Sequence, residues 1–215
     1  MTIQYPACID RDEDNNYKIS CDCKNTELSF NNEKVKVRYK LTVCYKEKPI
    51  NDGSEEIIVL LKNPSKANQE DSDRTINKVI KIFDTDTGKV SKLTFLNVFP
   101  FYVTDSRQLS PFDKDLIKND KDKYEEFLKE NLKVIKDTLF NSAESKTLIC
   151  AYGKGVGNKQ NLKNVEDLLK KYPSDKLKSF NTDESVPLHP QRLPIDPEKP
   201  YKEFKIKNKK DKAKK

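Results

Sequence analysis

Five apolar residues in succession, Ile57-Ile58-Val59-Leu60-Leu61, constrain this chain more than any other feature. A strand with one face in water alternates apolar and polar side chains. An unbroken run is the mark of a strand covered on both faces. The segments that follow extend that grammar. Ile76, Val79, Ile80 and Phe83 recur at helical spacing, behind acids at Asp71 and Asp73 that suit a helix N-terminus. Leu93–Val98 reads as a second strand, and Tyr124, Phe127, Leu128, Leu132, Ile135 and Leu139 as an amphipathic helix. Thr147–Tyr152 is a third buried strand, Leu162, Val165, Leu168, Leu169 and Tyr172 a further helix, and Leu177–Phe180 a short fourth strand. Strands alternating with helices predict an α/β fold: a three-layer α/β/α sandwich around a central, mostly parallel four-stranded sheet. Ahead of it, Val35, Val37, Tyr39, Leu41 and Val43 alternate as a half-buried strand, a β extension at the N-terminal side. Pro49–Ser54, with its Asn-Asp-Gly, is a turn.

The flanks read differently. Residues 1–33 are polar and without period, an N-terminal extension; residues 34–195 form the α/β domain; residues 196–215 are a flexible tail rich in Pro and Lys. Of the net charge of +7, that tail supplies +5 through nine Lys against four acids. The body is therefore no saturated nucleic-acid surface. Thirty-seven of the 42 basic residues are Lys and five are Arg, a ratio that fits an AT-rich coding genome better than selection for bidentate phosphate grips. No stretch approaches the ~18–20 apolar residues of a membrane span, and the start lacks the apolar core of a signal peptide, so a soluble, cytoplasmic protein is expected. The five Cys, at 8, 21, 23, 44 and 150, are expected to be reduced thiols. With the only His far off at 189, they suggest no metal site, and no cofactor is expected.

In open parallel sheets ligands sit beyond the carboxyl ends of the strands. The strand ends here carry Asn63-Pro64-Ser65, then Asn97-Val98-Phe99-Pro100, then Gly153-Lys154-Gly155-Val156-Gly157, then Pro187-Leu188-His189-Pro190. Two Asn, three of the five Gly and the only His would meet on one rim. Such a set suits a planar, amide-like ligand: an Asn offers both donor and acceptor to the imide edge of a pyrimidine, and a neutral His can donate to a carbonyl oxygen that gains charge. Each residue alone has an ordinary reading as a turn or loop residue. The Gly153 loop also invites comparison with a phosphate loop, but Asn158 stands where that motif needs Gly, and Gln160 where it needs Ser or Thr.

These blocks resemble the family catalogued as domain of unknown function 1643. Its asparagine–proline–serine turn followed by aspartate and threonine is matched by Asn63-Pro64-Ser65, Asp73 and Thr75. Its later blocks are matched by Asn97-Val98-Phe99 with Thr104-Asp105, by Ala151-Tyr152-Gly153, and by Pro187-Leu188-His189-Pro190. Tyr102 and Asn77-Lys78 depart from it, standing where arginines are common. More distantly, the same order is similar to the uracil-DNA glycosylase superfamily. That resemblance implies a DNA partner, with Asn63 orienting the attacking water and His189 stabilising the leaving pyrimidine anion. Asn97 would read the base, with Ser65 beside it and Phe99 or Phe83 stacked on it. Leu193 would fill the vacated stack, and Gln191, Arg192, Gly153 and Gly155 would face the DNA backbone. Ser65 replaces the tyrosine that excludes thymine in the strict uracil enzymes, and Gln191 and Pro194 replace two phosphate-gripping serines. Weak, relaxed or lost activity is the expectation. The alternative is a non-catalytic pseudo-glycosylase that binds a protein, such as an acidic DNA-mimic inhibitor of glycosylases.

Overall fold

A computed structural model describes residues 3–9, 19–46, 54–84, 89–103, 108–141, 146–153, 157–180 and 187–206, the side chain of Arg192 excepted. The strands are β1 (Ile19–Phe30), β2 (Glu33–Cys44), β3 (Glu55–Leu61), β4 (Val90–Asn97), β5 (Thr147–Cys150), β6 (Leu177–Ser179) and β7 (Lys202–Glu203). The helices are α1 (Arg74–Phe83), α2 (Leu109–Asn119), α3 (Lys121–Phe140) and α4 (Lys159–Leu169). All seven strands form one sheet in the order β1-β2-β4-β3-β5-β6-β7.

The four-stranded sheet is thus corrected to a seven-stranded mixed one. The pairs β4·β3, β3·β5 and β5·β6 are parallel; β1·β2, β2·β4 and β6·β7 are antiparallel. The added strands come from the two flanks. Asn31 and Asn32 both take positive φ, 50° and 63°, and make the tight turn that folds β1 onto β2. In the N-terminal segment Tyr5, Ile9, Ile19 and Leu28 are buried. At the other end, β7 pairs with β6 and Phe204 is buried, so the tail stays with the body as far as Phe204.

The apolar run of β3 explains the layers. Ile57, Val59 and Leu61 pack in one hydrophobic cluster with Ile76, Val79, Ile80, Ile82 and Phe83 of α1. Ile58 and Leu60 belong to a second cluster with α2, α3 and α4, through residues such as Phe112, Tyr124, Ile135 and Val165. Each such side chain contributes roughly 1.5–3 kcal/mol on burial. Among the described residues no helix is long and apolar enough to cross a membrane.

Two further differences have local causes. Asp22 pairs with Lys40 and the next residue, Cys23, with Arg38, so Tyr39 is the extra residue of a bulge in β2. At that irregularity Cys21 and Cys23 are brought side by side, their Cα atoms 5.4 Å apart, a spacing within reach of a disulfide. The bulge also switches the strand's facing: Val37 and Tyr39 pack with the α2–α4 cluster, Leu41 and Val43 with that of α1.

Candidate functional site

A cleft of about 580 Å³ opens where β3 and β5 end. Leu61, Lys62, Asn63 and Ser65 line it from the end of β3, Asp73 and Thr75 from the start of α1, and Arg38 from β2. Val103, Gly153, Leu188, His189, Gln191 and Leu193 complete the wall. Six residues singled out from the sequence, Asn63, Ser65, Gly153, His189, Gln191 and Leu193, therefore share one cleft.

Local chemistry holds each of them. Asn63 Nδ2 donates to the carbonyls of Val103 at 2.6 Å and Pro64 at 3.0 Å. Both its N–H groups are used, and Oδ1 is what the side chain has left to offer a ligand. Gly153 has φ +69°, a left-handed conformation that disfavours any side chain, and its N–H donates to the Pro187 carbonyl at 2.7 Å. That bond ties the end of β5 to the segment carrying His189. His189 caps a short turn, Pro190–Arg192, with Nδ1 accepting from the Gln191 N–H at 3.4 Å. A neutral ring so placed carries its proton on Nε2. From α1, Lys78 Nζ donates to the Leu193 carbonyl at 2.5 Å and to that of Gln191 at 3.4 Å, holding the rim down.

Asp73 is the acid of the cleft, and its work is structural. Oδ1 accepts the N–H groups of Thr75 at 2.7 Å and Ile76 at 2.9 Å, capping α1, while Oδ2 accepts from the Ser65 hydroxyl. Arg38 is 1% exposed, and its Nη1 donates to the Ala67 carbonyl at 2.8 Å. Its Nε is buried without an acceptor. Burial works against the guanidinium's charge, and nearby Asp73 only partly offsets it. Lys62 is half-buried, and burial lowers its pKa below the usual range.

Other expected site residues lie elsewhere. Asn97 is fully buried and does not line the cleft; neither amide atom has a partner. It sits beside Leu61 at the parallel strand end, under the cleft wall. Asn131 of α3 donates to the carbonyls of Asn97 at 2.9 Å and Val98 at 3.2 Å, and Asn161 of α4 to that of Val98 at 2.7 Å, which fixes that strand end. Phe99 is in the core, and Phe83 packs against Phe180 and Tyr201. Neither can stack on a ligand; among the described residues no Phe or Tyr lines the cleft. The reason is register: residues beyond β4 continue inward, with Val98, Phe99 and Phe101 all 0% exposed. Of the glycine loop, Gly157 packs against Asp113, not in the cleft. Gly155, the Thr104-Asp105 pair, positions 49–53 of the expected turn and the tail beyond Ile206 lie outside the described residues.

Sequence reasoning missed Arg38 and Lys62. Arg38 occupies a polar position in an alternating strand, which reads as solvent-facing. Only the bulge at Tyr39 brings it inside. Its rarity among 37 Lys was the signal available.

A family model described as Protein of unknown function (DUF1643) matches residues 38–191. The match begins at Arg38 and contains every residue lining the cleft except Leu193. No curated protein and no solved structure matches the chain.

Proposed function

The chain belongs to the DUF1643 family, and on that premise we propose that the cleft recognises a pyrimidine, free or flipped from DNA, in the manner of a uracil-DNA glycosylase with weak or lost activity. The observation that carries this reading is the meeting of Asn63, Gly153 and His189 around one cleft at the strand ends. Asn63 Oδ1 is a fixed acceptor, suited to the imide N–H of a pyrimidine or to a proton of an attacking water. A neutral His189 with its proton on Nε2 suits a carbonyl oxygen that becomes negative as the base departs. With no Phe or Tyr among the described residues of the wall, the ligand is held by its edges and not by a stacked ring.

The same geometry limits catalysis. An amide cannot take a proton from water. The carboxylate of the cleft, Asp73, already accepts two backbone N–H groups and a hydroxyl. Hydrolysis of the bond between C1′ of the sugar and N1 of the base is accordingly slow or absent. Oligonucleotides carrying uracil, opposite A, opposite G and single-stranded, followed by alkaline cleavage, test this. Slow cleavage that disappears in Asn63→Ala and His189→Ala supports an active enzyme. No cleavage together with Asn63-dependent binding of deoxyuridine supports a binder, and neither result in a folded protein overturns the reading.

One observation favours a second reading, a non-catalytic module for an anionic macromolecule, either DNA or an acidic protein that mimics it. Beside the cleft, Arg74, Lys78 and Lys81 of α1 line a groove of about 420 Å³. Reversing Arg74 and Lys81 to Glu would then weaken DNA binding and flatten its salt dependence, as expected when phosphate contacts are lost.

A further inference from the structure

Among the described residues, Arg38 is a buried charge with the Tyr102 ring 6.0 Å from its Cζ and no carboxylate in an ion pair with it. It is 1% exposed, yet among the described residues one hydrogen bond, to the Ala67 carbonyl, engages its five N–H donors. The nearby carboxylate, Asp73, is occupied by the α1 cap and by Ser65, and forms no ion pair with it. A guanidinium taken out of water is strongly unfavourable unless an anion or a set of acceptors meets it. This one lines an open cleft, beside half-buried Lys62 and the first turn of α1, whose dipole also favours negative charge. Arg38 thus lies near a carboxylate that is already engaged.

We infer that the cleft takes a ligand ending in a phosphate monoester, with the phosphoryl group on Arg38. This rests on the pyrimidine reading for the rest of the ligand and makes a pyrimidine nucleoside monophosphate the fitting class. A planar fork with several open donors matches the oxygens of a terminal phosphate. An internal phosphodiester of DNA is flanked by sugar on both sides and cannot reach a side chain this buried. The phosphate therefore belongs to a free nucleotide or to a phosphorylated strand end.

The test is calorimetric titration of the full chain with deoxyuridine 5′-monophosphate, deoxyuridine, inorganic phosphate, and a short single strand with and without a 5′-phosphate. The monophosphate should bind at least tenfold more tightly than deoxyuridine, and Arg38→Met should erase that difference. Arg38→Lys, which keeps the charge but loses the fork, should retain part of it. Thermal unfolding of each variant checks the fold, and phosphate-induced stabilisation of the wild type gives a readout that needs no variant. A preference for the phosphorylated strand over the free nucleotide assigns the ligand to a DNA end, and the reverse preference to a nucleotide. Equal binding of monophosphate and deoxyuridine, unchanged in Arg38→Met, overturns the inference and leaves the pyrimidine reading standing. Arg38-dependent binding of phosphate, with no added affinity from the nucleoside, keeps the inference and overturns the pyrimidine reading. Absence of binding by phosphate, monophosphate and phosphorylated strand overturns the inference.

Discussion

The two faces of the sheet bury charge in opposite ways. On the α1 face, Arg38 reaches an open cleft with one hydrogen bond. On the other face, Asp113 of α2 is enclosed: it is 5% exposed, the Tyr124 hydroxyl donates to its Oδ1 at 2.8 Å, and Asn158 Nδ2 donates to that hydroxyl at 3.3 Å. Burial pushes the Asp113 carboxyl up to about 6, against the opposing pull of Tyr124 and the Asn158 backbone. The acid can take up a proton as pH falls through about 6; the guanidinium keeps its charge, and needs a partner from outside. On this account Asp113, enclosed by Tyr124 and Asn158, is a structural part, and Arg38, at the wall of a cleft, a binding part.

Each side of that contrast can be broken. The largest effect is expected at Gly157, where a Cβ would lie 2.0 Å from Asp113 Oδ2. Gly157→Ala should cost about 3 kcal/mol by overpacking, measured by chemical denaturation; a loss within experimental error would mean that the Asp113 enclosure is loose.

The next effect is at Asp113 itself, and its sign is unusual for a carboxylate. Its folded pKa, about 6, lies above the ordinary 3.8, so the folded chain binds this proton more tightly than the unfolded one. The group therefore weakens the fold above pH 6, and that penalty fades as pH falls from 6 towards 3.8. Asp113→Asn should raise stability at pH 7 by about 1–2 kcal/mol and differ little from wild type near pH 4. Equal stability changes at both pH values would contradict the assignment. The smallest effect is expected for Arg38→Met, within about 1 kcal/mol of wild type and towards stabilisation, since an unpaired buried charge is replaced by an apolar side chain. The Ala67 carbonyl keeps the Tyr102 hydroxyl at 3.0 Å as a donor. A loss of several kcal/mol would make Arg38 a structural residue and remove the contrast.

What could be read from the sequence follows the same division. Segments with one strong period were legible: β3 from its unbroken run, α1 from its spacing and its Asp73 cap, and α3 from six apolar positions. β1 was not, because an edge strand with Ile19, Thr26 and Leu28 as its buried positions carries too few apolar residues to show a period. α2 was hidden by Pro111, which a first turn tolerates because its N–H would be unpaired there in any case. In the cleft, the strand-end rule placed Asn63, Gly153 and His189 together because topology alone decides where strands end. It misplaced Asn97 and Phe99, since which way a side chain turns after the last paired residue depends on packing. Arg38 was invisible because one extra residue, Tyr39, reverses the facing of β2.

The most direct test of the account is the map of backbone amide shifts in labelled protein titrated with deoxyuridine 5′-monophosphate. Shifts confined to residues 61–75, 151–153 and 187–193, with the Arg38 side-chain Nε signal moving as well and Asp113, Tyr124 and Asn158 unmoved, are the predicted result. Shifts centred on Asp113 and the start of α4, or none at millimolar nucleotide, would contradict it.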